Sequence, residues 1–501
     1  MKILLAGYNL DYEAIRGIAD AAPEIGELTP ETLAAAYARI SRNPKPVNEL
    51  RNLARAEVDK ARSSNRNIVF EMGHSSIAEH AVFNIDVLGV SRLLVEEIEK
   101  FRLCSYTEKS QRYVLLQDDF VIPEEIRRAG LEALFTEMVR RQNRFYHDLY
   151  GKLRPHVFQR HPDLAADPGN RSLLEGWAKE DARYVIALAT ETQLGMTLNA
   201  RNLELMLRRL AAHPLAEAGL YSRKLYDATK NIAPSLIRYT DATDYDRRTR
   251  RDLEETTASL TMDQQKSGPP PESESVVLCG ATPHADEKII AALIHSSSRQ
   301  SMPQCLEIVG RMSISDKEDL VRTALRRLRA YDPVLREFEL ADLHFELIVS
   351  AGCFAQLKRH RMATLTGQDY DPALGATVPP AVAAIGMEHA FRDVMAETEA
   401  VYGQIRDVAP EAAPYILTNA HRKRVSLKVN ARELYHMARL RADGHAQWDI
   451  RAVTVRMLEL AGGAMPLTFM LACGKDGFEM LYQKIFHGPS PQRGPSGSSE
   501  S

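Results

Sequence analysis

Five short segments concentrate the residue types that do chemistry. Gly73-His74-Ser75-Ser76-Ile77-Ala78-Glu79-His80 carries two imidazoles, a carboxylate and two hydroxyls. His74 and His80 are too far apart in sequence to share one helix face, so the spacing disfavours a zinc pair. The plain alternative is a helix start, with Ser75 or Ser76 as cap and Glu79 in the first turn. Free amides there, and His74, could still face an anionic ligand. Ser105-Tyr106-Thr107-Glu108-Lys109-Ser110-Gln111-Arg112-Tyr113 is a dense polar run. It is a solvated turn or, through the Ser110 hydroxyl and the Arg112 guanidinium, a phosphate grip. Lys358-Arg359-His360-Arg361 and His421-Arg422-Lys423-Arg424 are dense basic clusters. Charge runs are usually solvated faces. The first, however, follows the apolar stretch Ala351–Leu357 and is therefore tied to a core, which suits bidentate arginine recognition of phosphate. His445-Ala446-Gln447-Trp448-Asp449-Ile450-Arg451 holds one of the two tryptophans. Its plain reading is a helix packed by Trp448 with Arg451 on the polar side.

These segments need elements to position them, and the elements recur. Phe83, Ile85 and Val87 alternate with Asn84 and Asp86, the pattern of a half-buried strand. Leu343, Phe345, Leu347 and Val349 alternate with His344 and Glu346 in the same way. Each strand leads through a helical stretch to a basic triplet, Lys100-Phe101-Arg102 or Arg359-His360-Arg361. Each copy then carries an Asn-Ala-Arg triplet, at Asn199 and at Asn430, that opens an amphipathic helix. Leu434, Met437 and Leu440 are expected on its apolar face in the second copy. Pro123 to about Leu153 is patterned as one long helix, and Met1–Gly7 as a first buried strand. Diverged tandem duplication accounts for the repetition. The expected organisation is a domain over 1–240, a linker over 241–275, a second domain over 276–486 and a disordered tail over 487–501. The linker includes Pro269-Pro270-Pro271, which fixes extended backbone and removes donors.

The balance of the chain fits that plan. It has 501 residues, 45% hydrophobic and 26% charged, with 64 Lys plus Arg against 67 Asp plus Glu and a net charge of −3. No basic excess suits polyanion wrapping, so nucleic acid and membrane surfaces are disfavoured. The 5 cysteines are scattered, with no paired spacing, which argues against a disulfide framework or structural zinc. The first apolar stretch is too short for a signal-peptide core, and no run approaches the ~20 residues that span a bilayer. A cytoplasmic protein is expected.

The motifs, taken in order, resemble those of the flavin-dependent thymidylate synthases, which carry G-H-x-x-x-x-E-H, then R-H-R-x-x-S-x-x-x-x-S-x-R-Y, N-A-R and H-A-Q-W-E-I-R. The resemblance covers nearly both copies apart from linker and tail. It implies a mixed α/β (α+β) fold, here as two tandem domains forming a pseudo-dimer, and a homodimer equivalent to the family's tetramer. It also implies FAD as cofactor, NADPH and methylenetetrahydrofolate as co-substrates, and reductive methylation of dUMP to dTMP.

Neither copy matches completely. The first keeps His74, Ser76, Glu108, Ser110 and Arg112, but has Glu97 for a glutamine, Lys100-Phe101 for arginine-histidine, Gln193 for a dUMP-binding arginine and Gly219 for the closing arginine. The second keeps Gln356, Arg359, His360, Arg361, Arg424 and Arg451, but has Asp332-Pro333-Val334-Leu335 for glycine-histidine. Gly367, Asp369 and Asp371 stand there for glutamate, serine and arginine. Two carboxylates would repel a phosphate by ~4 kcal/mol per close pair at intermediate dielectric, so that loop should not bind a nucleotide. The resemblance implies Arg451 and Ser110 as catalytic residues. It implies substrate binding by Glu108, Ser110, Arg112, Gln356, Arg359, Arg424 and Arg451. Cofactor binding falls to His74, Ser76, Arg359, His360, Arg361, Arg441 and His445. The complementary losses point to one composite site using both copies. A relative methylating another pyrimidine nucleotide, or a non-catalytic flavin- or nucleotide-binding homologue, is the alternative.

Overall fold

A computed structural model describes residues 1–11, 29–40, 43–261 and 275–491. The chain gathers into two compact units, Met1–Lys266 with Val378–Asn419, and Ser267–Thr377 with Ala420–Ser501. A stretch of the second sequence copy is thus built into the first unit.

Each unit holds one antiparallel four-stranded sheet. The first runs β1 (Lys2–Tyr8), β2 (Val82–Ser91), β4 (Glu191–Asn199), β3 (Ser105–Glu108). The second repeats the order with β5 (Val276–Ala281), β6 (Asp342–Ser350), β8 (Arg422–Asn430) and β7 (Thr364–Gly367). The register repeats as well. Val82 faces Asn199 and Ile85 faces Met196, as Asp342 faces Asn430 and Phe345 faces Leu427. The alternating residues are the cause: Phe83, Ile85 and Val87 are buried, as are Leu343, Phe345 and Leu347. At ~1.5–3 kcal/mol per fully buried large side chain, slipping either strand by one residue would expose the whole set. The first strand is an edge strand rather than a buried one. With only β2 beside it, Leu4 stays 49% exposed.

Short helices follow the central strands. Ser91 caps α1 (Arg92–Ile98) by accepting from the Leu94 amide, and Ser350 caps α6 (Ala351–Leu357) by accepting from Cys353. The asparagines of the repeated triplet do the same work. Asn199 accepts from the Asn202 amide to start α4 (Ala200–Ala211), and Asn430 accepts from Glu433 to start α8 (Ala431–Arg441). On α8, Leu434 and Met437 are buried, but Leu440 is 44% exposed at the final turn, where the core has ended. The helix expected from Pro123 breaks at Gly130, whose φ of 71° requires glycine, into Glu124–Arg128 and α2 (Glu132–Arg160). The stretch expected as a linker carries a helix, α5 (Asp244–Thr261), that buries none of its residues. The triple proline and the tail from residue 492 lie outside the described residues.

Within the first unit, α7 (Glu388–Arg406) packs on α2. Gly386 repeats the φ of 71° just ahead of α7, and Phe391 is buried as Phe135 is on α2. Gln142 Nε2 donates to Thr398 Oγ1 at 2.9 Å, and Arg141 Nε meets Glu397 at 3.2 Å. Close by, Ala187 bridges Thr418 in antiparallel fashion. The Leu188 amide donates to the Leu417 carbonyl at 2.7 Å, and the Asn419 amide donates to Ile186 at 3.1 Å. The Tyr184–Leu188 and Tyr415–Asn419 stretches are equivalents, so these contacts exchange copy for copy.

Candidate functional site

In the first unit the strand β3 and the turn after it carry the polar run. Glu108 is paired with Arg92 and accepts from Thr192 Oγ1 at 3.3 Å. Ser110 Oγ accepts from the Arg112 amide at 3.1 Å, which turns the chain, and the Arg112 guanidinium pairs with Glu180 from α3 (Arg171–Ala182). Beside them lies Arg183, which was not singled out from sequence. It is buried, its Nε donates to the Glu180 carbonyl at 3.3 Å, and its Nη2 finds no hydrogen-bond partner among the described residues. Burial pushes the Arg183 guanidinium down from its ordinary pKa, and the charges of Arg112 and Arg92 add to that. A buried donor without a partner is costly, and an anion would satisfy it. The clue in the sequence is a lone arginine opening the apolar run Tyr184-Val185-Ile186-Ala187-Leu188.

Gly73–His80 differs from the expected helix start. Ser75–His80 is a 3-10 turn that begins at His74 with no side-chain cap, so neither Ser75 nor Ser76 caps it. His74 and Ser76 are exposed, with Gly73 at φ 77° turning the chain ahead of them. Glu79 is held by Arg201 of the Asn-Ala-Arg triplet at 2.5 Å. The second unit repeats that tie: Arg432 donates to Glu339 at 2.9 Å and to the Val334 carbonyl at 2.9 Å. The triplet's arginine therefore anchors this loop in both copies.

In the second unit, α6 is wholly buried and presents the basic cluster at its end. Lys358 and His360 turn inward, while Arg359 and Arg361 are exposed. His360 sits in a line of polar contacts. Arg441 Nε donates to His360 Nε2 at 3.1 Å, and His360 Nδ1 lies 3.4 Å from Glu433. A donor at Nε2 and a carboxylate at Nδ1 fix the neutral tautomer with its proton on Nδ1. Burial pushes the imidazolium down from 6.5, against the pull of Glu433 and with the repulsion of Arg441. Glu433 is the second residue that sequence reading missed. Gln356 Nε2 donates to Gln447 Oε1 at 3.2 Å, while Gln356 Oε1 is buried without a partner among the described residues.

The closing motif starts α9 (Trp448–Ala464), with Gln447 accepting from the Ile450 amide. Asp449 Oδ2 accepts from Ser350 Oγ at 2.6 Å, tying this helix to α6. Arg451 donates to the Gly444 carbonyl at 2.9 Å, and exposed His445 leans on Asp443 at 2.9 Å. Gln356, Arg359, His360, Arg361, Arg441, His445 and Arg451 thus belong to one unit. Arg424, on β8, is paired with Glu346 at 3.0 Å.

The residues suit the cofactor that the motifs imply. A partnerless amide oxygen on Gln356 can accept from a ring N–H, and the exposed Arg359 and Arg361 suit a pyrophosphate. Among the described residues no cluster of metal-ligating side chains is present, and no helix is long and apolar enough to cross a membrane.

Two copies of one α+β unit, each with a paired-strand sheet and an Asn-Ala-Arg helix, define a tandem duplicate. The chain belongs to the thymidylate synthase complementing protein family, whose model matches it twice, over residues 25–235 and 277–467. A UPF0159 protein of Thermoplasma acidophilum is 24% identical over 426 residues, covering 78% of this chain and 84% of that protein. The flavin-dependent thymidylate synthase of Clostridium tetani is 30% identical over 214 residues, 42% of this chain and 82% of the synthase. That relative spans one copy where this chain has two. The structure of the flavin-dependent thymidylate synthase of Helicobacter pylori with FAD and dUMP matches 48% of this chain and 100% of that one, at 16% identity and a TM-score of 0.31.

Proposed function

We propose that this protein is a flavin-dependent thymidylate synthase that methylates dUMP with methylenetetrahydrofolate and NADPH, and that the two copies divide the work. The observation that carries the reading is the second unit's polar array. There Arg441 contacts both His360 and the Gln356 carbonyl, Glu433 backs His360, and Arg451 stands in the first turn of the helix capped by Gln447, which accepts from Gln356, while the first unit keeps Ser110, Arg112 and Arg183.

FAD, when bound, supplies the hydride that NADPH delivers to it. The chain's own residues bind, orient and stabilise charge. Arg112 and Arg183 hold the nucleotide phosphate, and Ser110 fixes its position. The uracil C5 becomes nucleophilic as negative charge builds on the ring, and the Arg451 guanidinium stabilises that charge. Gln356 accepts from a ring N–H, and Arg359 and Arg361 hold phosphate oxygens. His360, kept neutral between Arg441 and Glu433, packs the slot without adding charge. His74, Ser76 and His445 would line the cofactor side of the site, and Glu108 and Arg424 would take part only if their present partners yield. One methylene and two hydrogens, as hydride and proton, enter the products. These are dTMP, tetrahydrofolate and the oxidised nicotinamide.

The test is the visible spectrum of the purified protein after loading with FAD, and release of the uracil C5 hydrogen from dUMP with both co-substrates. Yellow protein and stoichiometric release support the reading. A protein that cannot be loaded with FAD contradicts it. Flavin loading with release only from another pyrimidine nucleotide would transfer the reading to that substrate.

A further inference from the structure

Each copy retains the positions whose motif residues it has lost, and other side chains meet there. In the first unit, Glu97 stands on α1 where Gln356 stands on α6. Lys100 Nζ clamps it at 2.7 and 2.6 Å, and His213 Nε2 approaches at 3.3 Å. His213 occupies the place of His445, and Lys100 that of Arg359. Burial alone would raise the Glu97 carboxyl, but the His213 hydrogen bond and the Lys100 charge bring it down to about 2. It is therefore ionised throughout the working range and cannot donate. Phe101 and buried Leu210 replace His360 and Arg441, so the polar line has no counterpart.

The second unit closes the other position. Lys423 lies between two rings, its Nζ 4.4 Å from the centroid of Phe354 and 4.3 Å from that of Tyr370. Tyr370 comes from the loop after β7, at the place of Gln111, and is buried. That loop stays on β8: the Gln368 amide donates to Arg424 at 2.9 Å and the Asp371 amide to Arg422 at 3.1 Å. In the first unit the matching amide, of Arg112, leaves the strand for Ser110 Oγ at 3.1 Å. Exposed Asp369 and Asp371 stand at the positions of Ser110 and Arg112.

We infer that each copy has plugged its abandoned half-site, the first with the Glu97–Lys100–His213 cluster and the second with Lys423 between Phe354 and Tyr370, so that one chain binds one flavin and one nucleotide. The inference rests on the function proposed above and adds the stoichiometry to it.

The experiment saturates the full chain with FAD, removes excess by gel filtration and reads flavin per chain from absorbance. Equilibrium dialysis against labelled dUMP counts nucleotide on the same material. A ratio near one for each is expected. A ratio near two for either overturns the inference while leaving the flavoenzyme reading intact. Zero flavin overturns both. The triple variant E97Q/K100R/F101H is expected to gain a second, weaker flavin with its nucleotide count unchanged. A flavin ratio still at one in that variant would remove the Glu97–Lys100–His213 cluster from the explanation.

Discussion

Arg141 and Glu397 stand at equivalent positions of the two sequence copies and meet each other across α2 and α7 at 3.2 Å. Beside them, the equivalents Gln142 and Thr398 share a hydrogen bond. In a symmetric pair of identical chains each position would face itself, and a charged residue would face its own charge. Divergence after duplication has turned that self-contact into an attractive one that only unlike copies can make.

That relationship predicts a charge-swap result. Both side chains are more than a third exposed, so the pair itself contributes ~0.2–1 kcal/mol. Glu397→Arg, which sets two guanidiniums against each other, should lower the denaturation midpoint. Arg141→Glu combined with Glu397→Arg should restore most of the loss. Chemical denaturation of the three variants measures it, and a double variant no better than the single one would show that the pair is not coupled.

The helix caps should be worth more than the surface pair. Asn199 and Asn430 each accept from the third amide of their helix. Replacing either by alanine should cost ~1 kcal/mol. Asn430→Ala should also weaken flavin retention, since α8 carries Arg441 and Glu433.

The depressed His360 pKa makes stability depend on pH. The imidazole is neutral in the fold, whereas the unfolded chain titrates near 6.5. Below 6.5 the unfolded state binds the extra proton, so this stability is complete above 6.5 and is lost as pH falls through the lowered folded value. The slope cannot exceed ~1.4 kcal/mol per pH unit for one group. His360→Gln should remove that part of the slope in unfolding curves taken between pH 7 and pH 5.

Arg183 should matter for the nucleotide and not for the flavin. Arg183→Lys keeps the charge but loses the planar fork, and should weaken dUMP binding on the order of 10-fold or more. The FAD content should not change. Equal loss of both ligands would mean that the residue acts through folding instead.

The strands β2 and β6 and the helices opened by the Asn triplets were legible because alternation and capping are local and repeat at fixed spacing, whereas β3 and β8 were not, since they carry the polar and basic runs. Leu4 and Leu440 were misplaced because an apolar residue at an edge strand or a final helical turn has the right period but no neighbour to cover it. Ser75 and Ser76 suggested a cap, yet Gly73 turns the chain so that the segment winds as a 3-10 turn instead. Glu433 and Arg183 were hidden for a different reason. Their roles come from what burial places beside them, His360 in one case and Arg112 with Glu180 in the other. The placement of Val378–Asn419 in the first unit is likewise a tertiary fact, since nothing in its helix pattern says which copy it will pack against.

Division of labour between the copies is the central claim, and one assay tests it most directly. Release of the C5 hydrogen from dUMP is measured for the FAD-loaded full chain and for Ser110→Ala and Arg359→Ala made separately. The account predicts that each single change, one in each copy, lowers turnover by at least ~100-fold while both variants stay folded. Wild-type turnover in either variant would contradict it, because one copy would then be doing the chemistry alone.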